Sequence, residues 1–145
     1  MYFVLLCIHL LSAVCFVGYV FFDACIYPLA YKSVDRQECD EVKRAYSKGG
    51  AMIFGLLFGV LLFSGVALLS YYDIASVFSL GSAFSLFFVI KMALLLLMFA
   101  LTAYSVFVVY ALKRADPFKK KSHLIALVLC VGIIICAKAM QSFSF

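Results

Sequence analysis

The sequence predicts an all-α integral membrane protein, an antiparallel four-helix transmembrane bundle, on three observations. Of 145 residues, 68% are hydrophobic and only 13% charged, whereas soluble domains run near half apolar and about a quarter charged. The apolar residues fall into four continuous runs without the alternation of barrel strands. Lysine and arginine gather in two of the three connections, the asymmetry that orients membrane helices. A domain of this size leaves roughly 30% of its unfolded-chain surface exposed. So apolar a chain cannot hide its side chains in one small soluble core. That excludes a soluble globular enzyme, a disordered chain and a nucleic-acid reader.

The elements follow in order. The first run covers residues 2–27. It has no basic leading region, and its apolar stretch exceeds the ~7–15 residues of a signal-peptide core, so it reads as a true span. Pro28 is expected to end it on the inner side. Residues 35–48, DRQECDEVKRAYSK, carry mixed charge. Asp35, with Glu38 three residues on, predicts the cap of a short surface helix whose charges form a solvated face. The second run covers 50–70, with Ala51, Gly55 and Gly59 at four-residue spacing. Small residues there let helices approach closely, or leave room for a flat cofactor.

Ser79, Gly81 and Ser82 predict a short mobile turn before the third run, 83–112. The stretch ADPFKKKS turns at Pro117 and sets Lys119, Lys120 and Lys121 at the headgroups, as an orientation anchor and then as an anionic-lipid contact. The fourth run covers 124–140. Membrane helices need about 20 residues, and lipid demands internally satisfied backbone, so all four runs read as helices. There is no internal repeat, and residues 1–145 read as one membrane domain.

The first connection carries Lys32, Arg36, Lys43, Arg44 and Lys48, and the third Lys113, Arg114 and Lys119 to Lys121. The second, 71–82, has no basic residue and holds Asp73. Connections one and three are therefore expected in the cytoplasm, with both termini outside. This topology accounts for the net charge of +5. Cys7, Cys15, Cys25, Cys130 and Cys136 fall in the spans and Cys39 on the reducing side, so no disulfide framework is expected.

Ionisable side chains in lipid are costly, about 2.5–3.5 kcal/mol for a central Lys or Asp on insertion scales. Those within the runs are His9, Asp23, Lys91 and Lys138, with His123 at an edge. At ~1.5 Å per residue, His9 and Lys91 each lie ~12 Å below the outer start of their spans. Lys138 lies at the outer end of the fourth, while Asp23 and His123 lie on the inner side. His9 and His123, roughly 20–28 Å apart in depth, cannot be the two axial ligands of one haem.

His9 continues through Ser12, Phe16, Tyr19 and Asp23 by three- and four-residue steps, a polar-aromatic stripe aimed at the bundle interior. It predicts either a metal or haem ligand or a histidine bonded to a neighbouring helix. Lys91, on a face with Leu95, Met98, Thr102 and Ser105, has no acid at its depth. A bound anion or snorkelling to the interface would satisfy it, and snorkelling suits Lys138. Cys136 and Met140, four apart, share a helix face and suit Cu(I), as do the nearby Cys7 and Met92. The metal candidates are thus His9, Cys136 and Met140, and the cofactor candidates His9, Lys91 and Lys138.

The segment HLLSAVCFVGYVFFDACIYP, the Gly-containing second run and the lysine-led IKMALLLLMF of the third together resemble the CopD-like (copper-resistance protein D) superfamily of small membrane proteins. They are also similar to the related HemJ-type protoporphyrinogen oxidases. The resemblance implies a multi-pass protein of the bacterial inner membrane with periplasmic termini. It also implies haem b, with copper as the alternative, and a role in copper or haem handling. A HemJ-type reading would make His9 a haem ligand and Lys91 an essential lysine, with electrons passed to quinone or another redox partner. The stretch FFDACIYPLAYK has neither the arginine nor the second histidine of the HemJ pattern. A cofactor-free structural subunit and a homo-oligomer are the remaining expectations, with the lipid bilayer as surroundings and no nucleic acid as partner.

Overall fold

Helix α1, Tyr2–Phe21, is an uninterrupted apolar stretch. It passes without a break into a wider, π-helical turn, Phe22–Ile26, and then a short helix α2, Tyr27–Ala30. Pro28 therefore does not end the first span, which runs to Ala30. A proline has no N–H to donate and its ring crowds the carbonyl four residues back. The wider turn absorbs both effects, the Tyr27 N–H reaching back five residues to Phe22 O. The turn that follows is tied by Lys32 N–H to Leu29 O and Val34 N–H to Ala30 O, both 3.0 Å.

Helix α3, Arg36–Leu69, is capped by Asp35, whose carboxylate accepts from the Gln37 N–H at 3.1 Å. The cap is where the sequence places it, but the helix does not stop. The polar arm and the second span are one rod of 34 residues, so the separate surface helix is corrected. A glycine inside a helix costs about 1 kcal/mol against alanine. At the Gly49–Gly50 step the backbone stays helical, and Gly50 lies against Tyr19, 3.6 Å from an ideal Cβ to the hydroxyl. About 24 Å of α3 precedes Met52, where its membrane-length segment begins.

Helix α4, Ala83–Val106, is capped by the Ser82 hydroxyl, which accepts from the Ser85 N–H at 3.2 Å. Helix α5 is Ser122–Ser142. This computed structural model describes residues 1–72, 82–108 and 122–142. The expected inner anchor at Pro117 and Lys119 to Lys121, the outer Ser79 and Gly81, and the expected end of the third run at Leu112 lie outside the described residues.

The protein is an all-α membrane protein, with four helices long and apolar enough to cross a bilayer: Tyr2–Ala30, Met52–Leu69, Ala83–Ser105 and Ser122–Ser142. They form two compact units, Met1–Tyr72 and Asp73–Phe145. In the first, α1 and its extension pack antiparallel on α3. Tyr2 meets Tyr71 edge-on at 5.3 Å, and Phe16 stacks on Phe54 and Phe58 at 4.4 and 5.3 Å. Phe16 and Val20 are buried. In the second unit α4 packs on α5. Here the Cys130 thiol donates to Met98 Sδ at 3.8 Å, and Leu94 lies 3.1 Å from an ideal Cβ at Gly132. Lipid tails are as apolar as leucine, so close packing and polar bonds hold such pairs together rather than escape from water.

Candidate functional site

The stripe on α1 faces α3, as its spacing requires. Ser12, Phe16 and Asp23 are buried, and His9 and Tyr19 are half-buried. Two polar centres result, one near each end of the first unit.

Near the Tyr2 end of α1, His9 Nδ1 lies 2.9 Å from the hydroxyl of Ser64, itself buried on α3. Ser64 Oγ also donates to its own helix, to Val60 O at 2.7 Å, with Leu61 O at 3.1 Å. The next residue, Gly65, brings the α3 backbone against the imidazole. A Cβ there would stand 3.1 Å from His9 Cε1 and 3.6 Å from Nδ1. His9 is thus bonded to a neighbouring helix through one ring nitrogen. That arrangement is also the usual support of a metal-ligating histidine, whose other nitrogen does the ligating.

At the opposite end of the helix pair, the π-helical turn carries Asp23, 6% exposed. Lys43 Nζ sits 3.2 Å from both carboxylate oxygens, and the Tyr46 hydroxyl donates to Oδ1. The same ammonium lies 5.5 Å from the centre of the Tyr27 ring, a cation–π contact. Tyr27 donates to Cys39 O, and Tyr31 to Asp40 Oδ1 at 2.7 Å. That bond, then burial, pushes the Tyr31 hydroxyl up to about 12. Burial, then the bond to Asp23, pushes the Tyr46 hydroxyl upward as well. The charged arm is therefore not all solvated face. Arg36, Glu38, Glu41 and Arg44 are exposed, but Cys39, Asp40, Lys43 and Tyr46 turn onto α1 and α2. Sequence reasoning missed this centre, although its signal was present: an acid inside an apolar run demands a cation, and Lys43 is the cation an antiparallel return brings to its level.

In the second unit, Cys136 and Met140 are both buried, as their shared face predicts. Cys136 lies within electrostatic reach of Lys91. No hydrogen bond or ion pair to Lys91 occurs among the described residues. Lys138 is exposed and donates to Gln141 Oε1 at 3.0 Å, one turn further on. All six cysteines are free thiols. No group of three or more His, Cys, Asp or Glu side chains able to hold a metal ion occurs among the described residues. Gly55 and Gly59 meet nothing within 4 Å of an ideal Cβ among the described residues. The close approaches between α1 and α3 fall at Gly50 and Gly65 instead.

No protein-family model, curated protein or solved structure matches the chain. The chemistry of these centres therefore rests on their own residues.

Proposed function

We propose that this is a CopD-like protein of the bacterial inner membrane, with periplasmic termini, that binds haem b in its outer half through His9. One observation supports this reading above the rest: His9 Nδ1 is bonded across the helix pair to Ser64 at 2.9 Å. A histidine oriented by a bond through one ring nitrogen is the usual form of a metal-ligating histidine. A single neutral imidazole is a sufficient protein ligand for haem iron. The donor set favours haem over copper, since a closed copper site draws several soft ligands together. Cys136 and Met140 offer a face of two sulfur residues on α5. Lys91 is the cation suited to an anionic group. When bound, haem supplies one-electron chemistry, and the residues described here hold and orient it. This reading assigns no enzymatic reaction.

The test is an absorption spectrum of the purified protein with bound iron measured alongside. A Soret band that disappears in His9→Ala supports the reading. A colourless protein that takes up no haem, or a band unchanged in His9→Ala, overturns it. Cysteine labelling from each side of the membrane tests the orientation. Arg44→Cys is expected to react from the cytoplasm only, and labelling from the periplasm would invert the topology.

A further inference from the structure

The face that α1 turns toward α3 changes its spacing partway along. His9, Ser12, Phe16, Tyr19 and Asp23 follow one another by alternating steps of three and four residues, which an α-helix keeps on one side. Beyond Asp23 the side chains bonded to α3 are Tyr27 and Tyr31, at two successive steps of four. In an unbroken α-helix each residue turns ~100°, so two such steps would carry Tyr31 ~80° past the stripe. Tyr27 is nevertheless buried, donates to Cys39 O and meets the Tyr46 ring edge-on at 5.2 Å. Tyr31 donates to Asp40 Oδ1 at 2.7 Å. Between the two spacings lies the π-helical turn Phe22–Ile26, closed by Tyr27 N–H on Phe22 O. A turn closed five residues back holds one residue more than an α turn, and that residue is worth ~100° of rotation. The wide turn thus takes up the advance, and the stripe continues in line through Tyr27 and Tyr31.

From this geometry we infer that the π-helical turn is a one-residue register device that docks the polar arm of α3, residues 36–51, and that exchanging it for an α turn releases the arm. In the wide setting Asp23, Tyr27 and Tyr31 hold Cys39, Asp40, Lys43 and Tyr46. In the α setting, with no residue lost, Tyr27 and Tyr31 swing ~100° about the helix axis. Their bonds to the arm then break, and Cys39, now 4% exposed, opens to water. Pro28 favours the wide setting, because its missing N–H and crowding ring penalise an α turn closed on Ala24 O. Single π turns inside α-helices frequently mark functional sites. Here the turn is the joint between an apolar helix pair and a charged arm. The device is independent of His9 and of the haem reading.

The experiment uses the full chain in nanodiscs, with Cys39 as the sole cysteine and a water-soluble maleimide as the probe. Cys39 is expected to react slowly in this parent protein. Inserting one alanine after Ala24 adds a residue that the turn cannot take up. That variant is expected to lose the protection of Cys39 and to return the Tyr31 hydroxyl to the ordinary tyrosine range. Deleting Ala24 together with Pro28→Ala removes the extra residue and its proline, so an α-helix stays in register and Cys39 is expected to stay protected. Pro28→Ala alone lifts the penalty on the α setting and is expected to speed labelling. Disulfide joining of Tyr2→Cys to Tyr71→Cys, in a background without native thiols, checks that the far end of the helix pair remains folded in each variant. An insertion that leaves Cys39 protected overturns the inference. So does a deletion that exposes Cys39 while the far end stays paired, or a Pro28→Ala protein labelled at the parent rate. Oriented solid-state NMR of the wild type needs no variant. The Tyr27 and Tyr31 amides are expected to keep the rotational phase of Phe16 and Asp23, and a Tyr31 phase advanced by ~80°, as in an unbroken α-helix, overturns the device outright.

Discussion

Lys43 reaches back across twenty residues of sequence to place its ammonium 3.2 Å from both carboxylate oxygens of Asp23. The pair is asymmetric: the Asp23 side chain is 5% exposed and that of Lys43 28%. The carboxylate is the member that depends on the other, because the lysine can turn toward water.

Removing Lys43 leaves a buried carboxylate with only part of its bonding. A broken buried pair costs about 3–5 kcal/mol, and the partial exposure of Lys43 places Lys43→Met toward the lower end. The double variant Asp23→Leu with Lys43→Met is expected to recover most of the loss. Unfolding in mixed micelles measures all three proteins, and a double variant less stable than either single would show that the pair does not act as a unit.

Phe16 is 3% exposed and stacks on two α3 rings. Phe16→Ala is expected to weaken the α1–α3 pair by less than the about 3–5 kcal/mol of an aqueous core. In lipid the transfer gain is absent, and only packing and ring contacts are lost. The same micelle unfolding assay reads this, and a loss at the full aqueous value would contradict packing as the driving term.

Tyr2 and Tyr71, with ring centres 5.3 Å apart, report on the antiparallel pairing when both are changed to cysteine in a background without the native thiols. Oxidation is expected to join them rapidly. Adding Gly55→Leu or Gly59→Leu should leave that rate unchanged, since neither glycine meets a neighbour among the described residues. Gly65→Leu should slow it. Slowing by Gly55→Leu would show that this glycine, too, lies in the α1–α3 seam.

Tyr31 donates to Asp40, and its hydroxyl is raised to about 12. An ordinary tyrosine ionises near 10. Above that value the unfolded chain loses a proton that the folded chain keeps, so stability falls as pH rises. The contribution of this shift is fully present below about 10 and is lost as pH passes about 12. Phenolate absorbance of the wild type against Tyr31→Phe checks this. A Tyr31 signal that titrates at the ordinary value would remove the bond as its cause.

Much of this molecule is legible in its sequence, and the rest fails for identifiable reasons. The His9, Ser12, Phe16, Tyr19, Asp23 stripe was readable because helical periodicity alone decides which residues share a face. The Asp35 cap was readable because capping is local. Pro28 misled because the remedy for a proline, a wider turn, has no compositional mark. The arm and second span looked like two helices because polarity changes sharply near Gly50, whereas backbone hydrogen bonding is indifferent to that change. Gly55 and Gly59 meet no neighbour among the described residues, whereas Gly50 and Gly65 do; spacing cannot say which of several small residues meets another helix.

What the sequence by itself determined is the solvent: a chain of this composition must satisfy its backbone within apolar helices. It also determined which few polar side chains lie inside them. Only the tertiary structure decided what each of those meets. Asp23 found Lys43 and Tyr46 rather than standing as a lone charge in an apolar run. His9 found Ser64 and Gly65 on α3. The physical reason is register. A shift of one residue between α1 and α3 turns each facing side chain by about 100° around its axis, so partners are set by how the two helices interlock, which no single helix encodes.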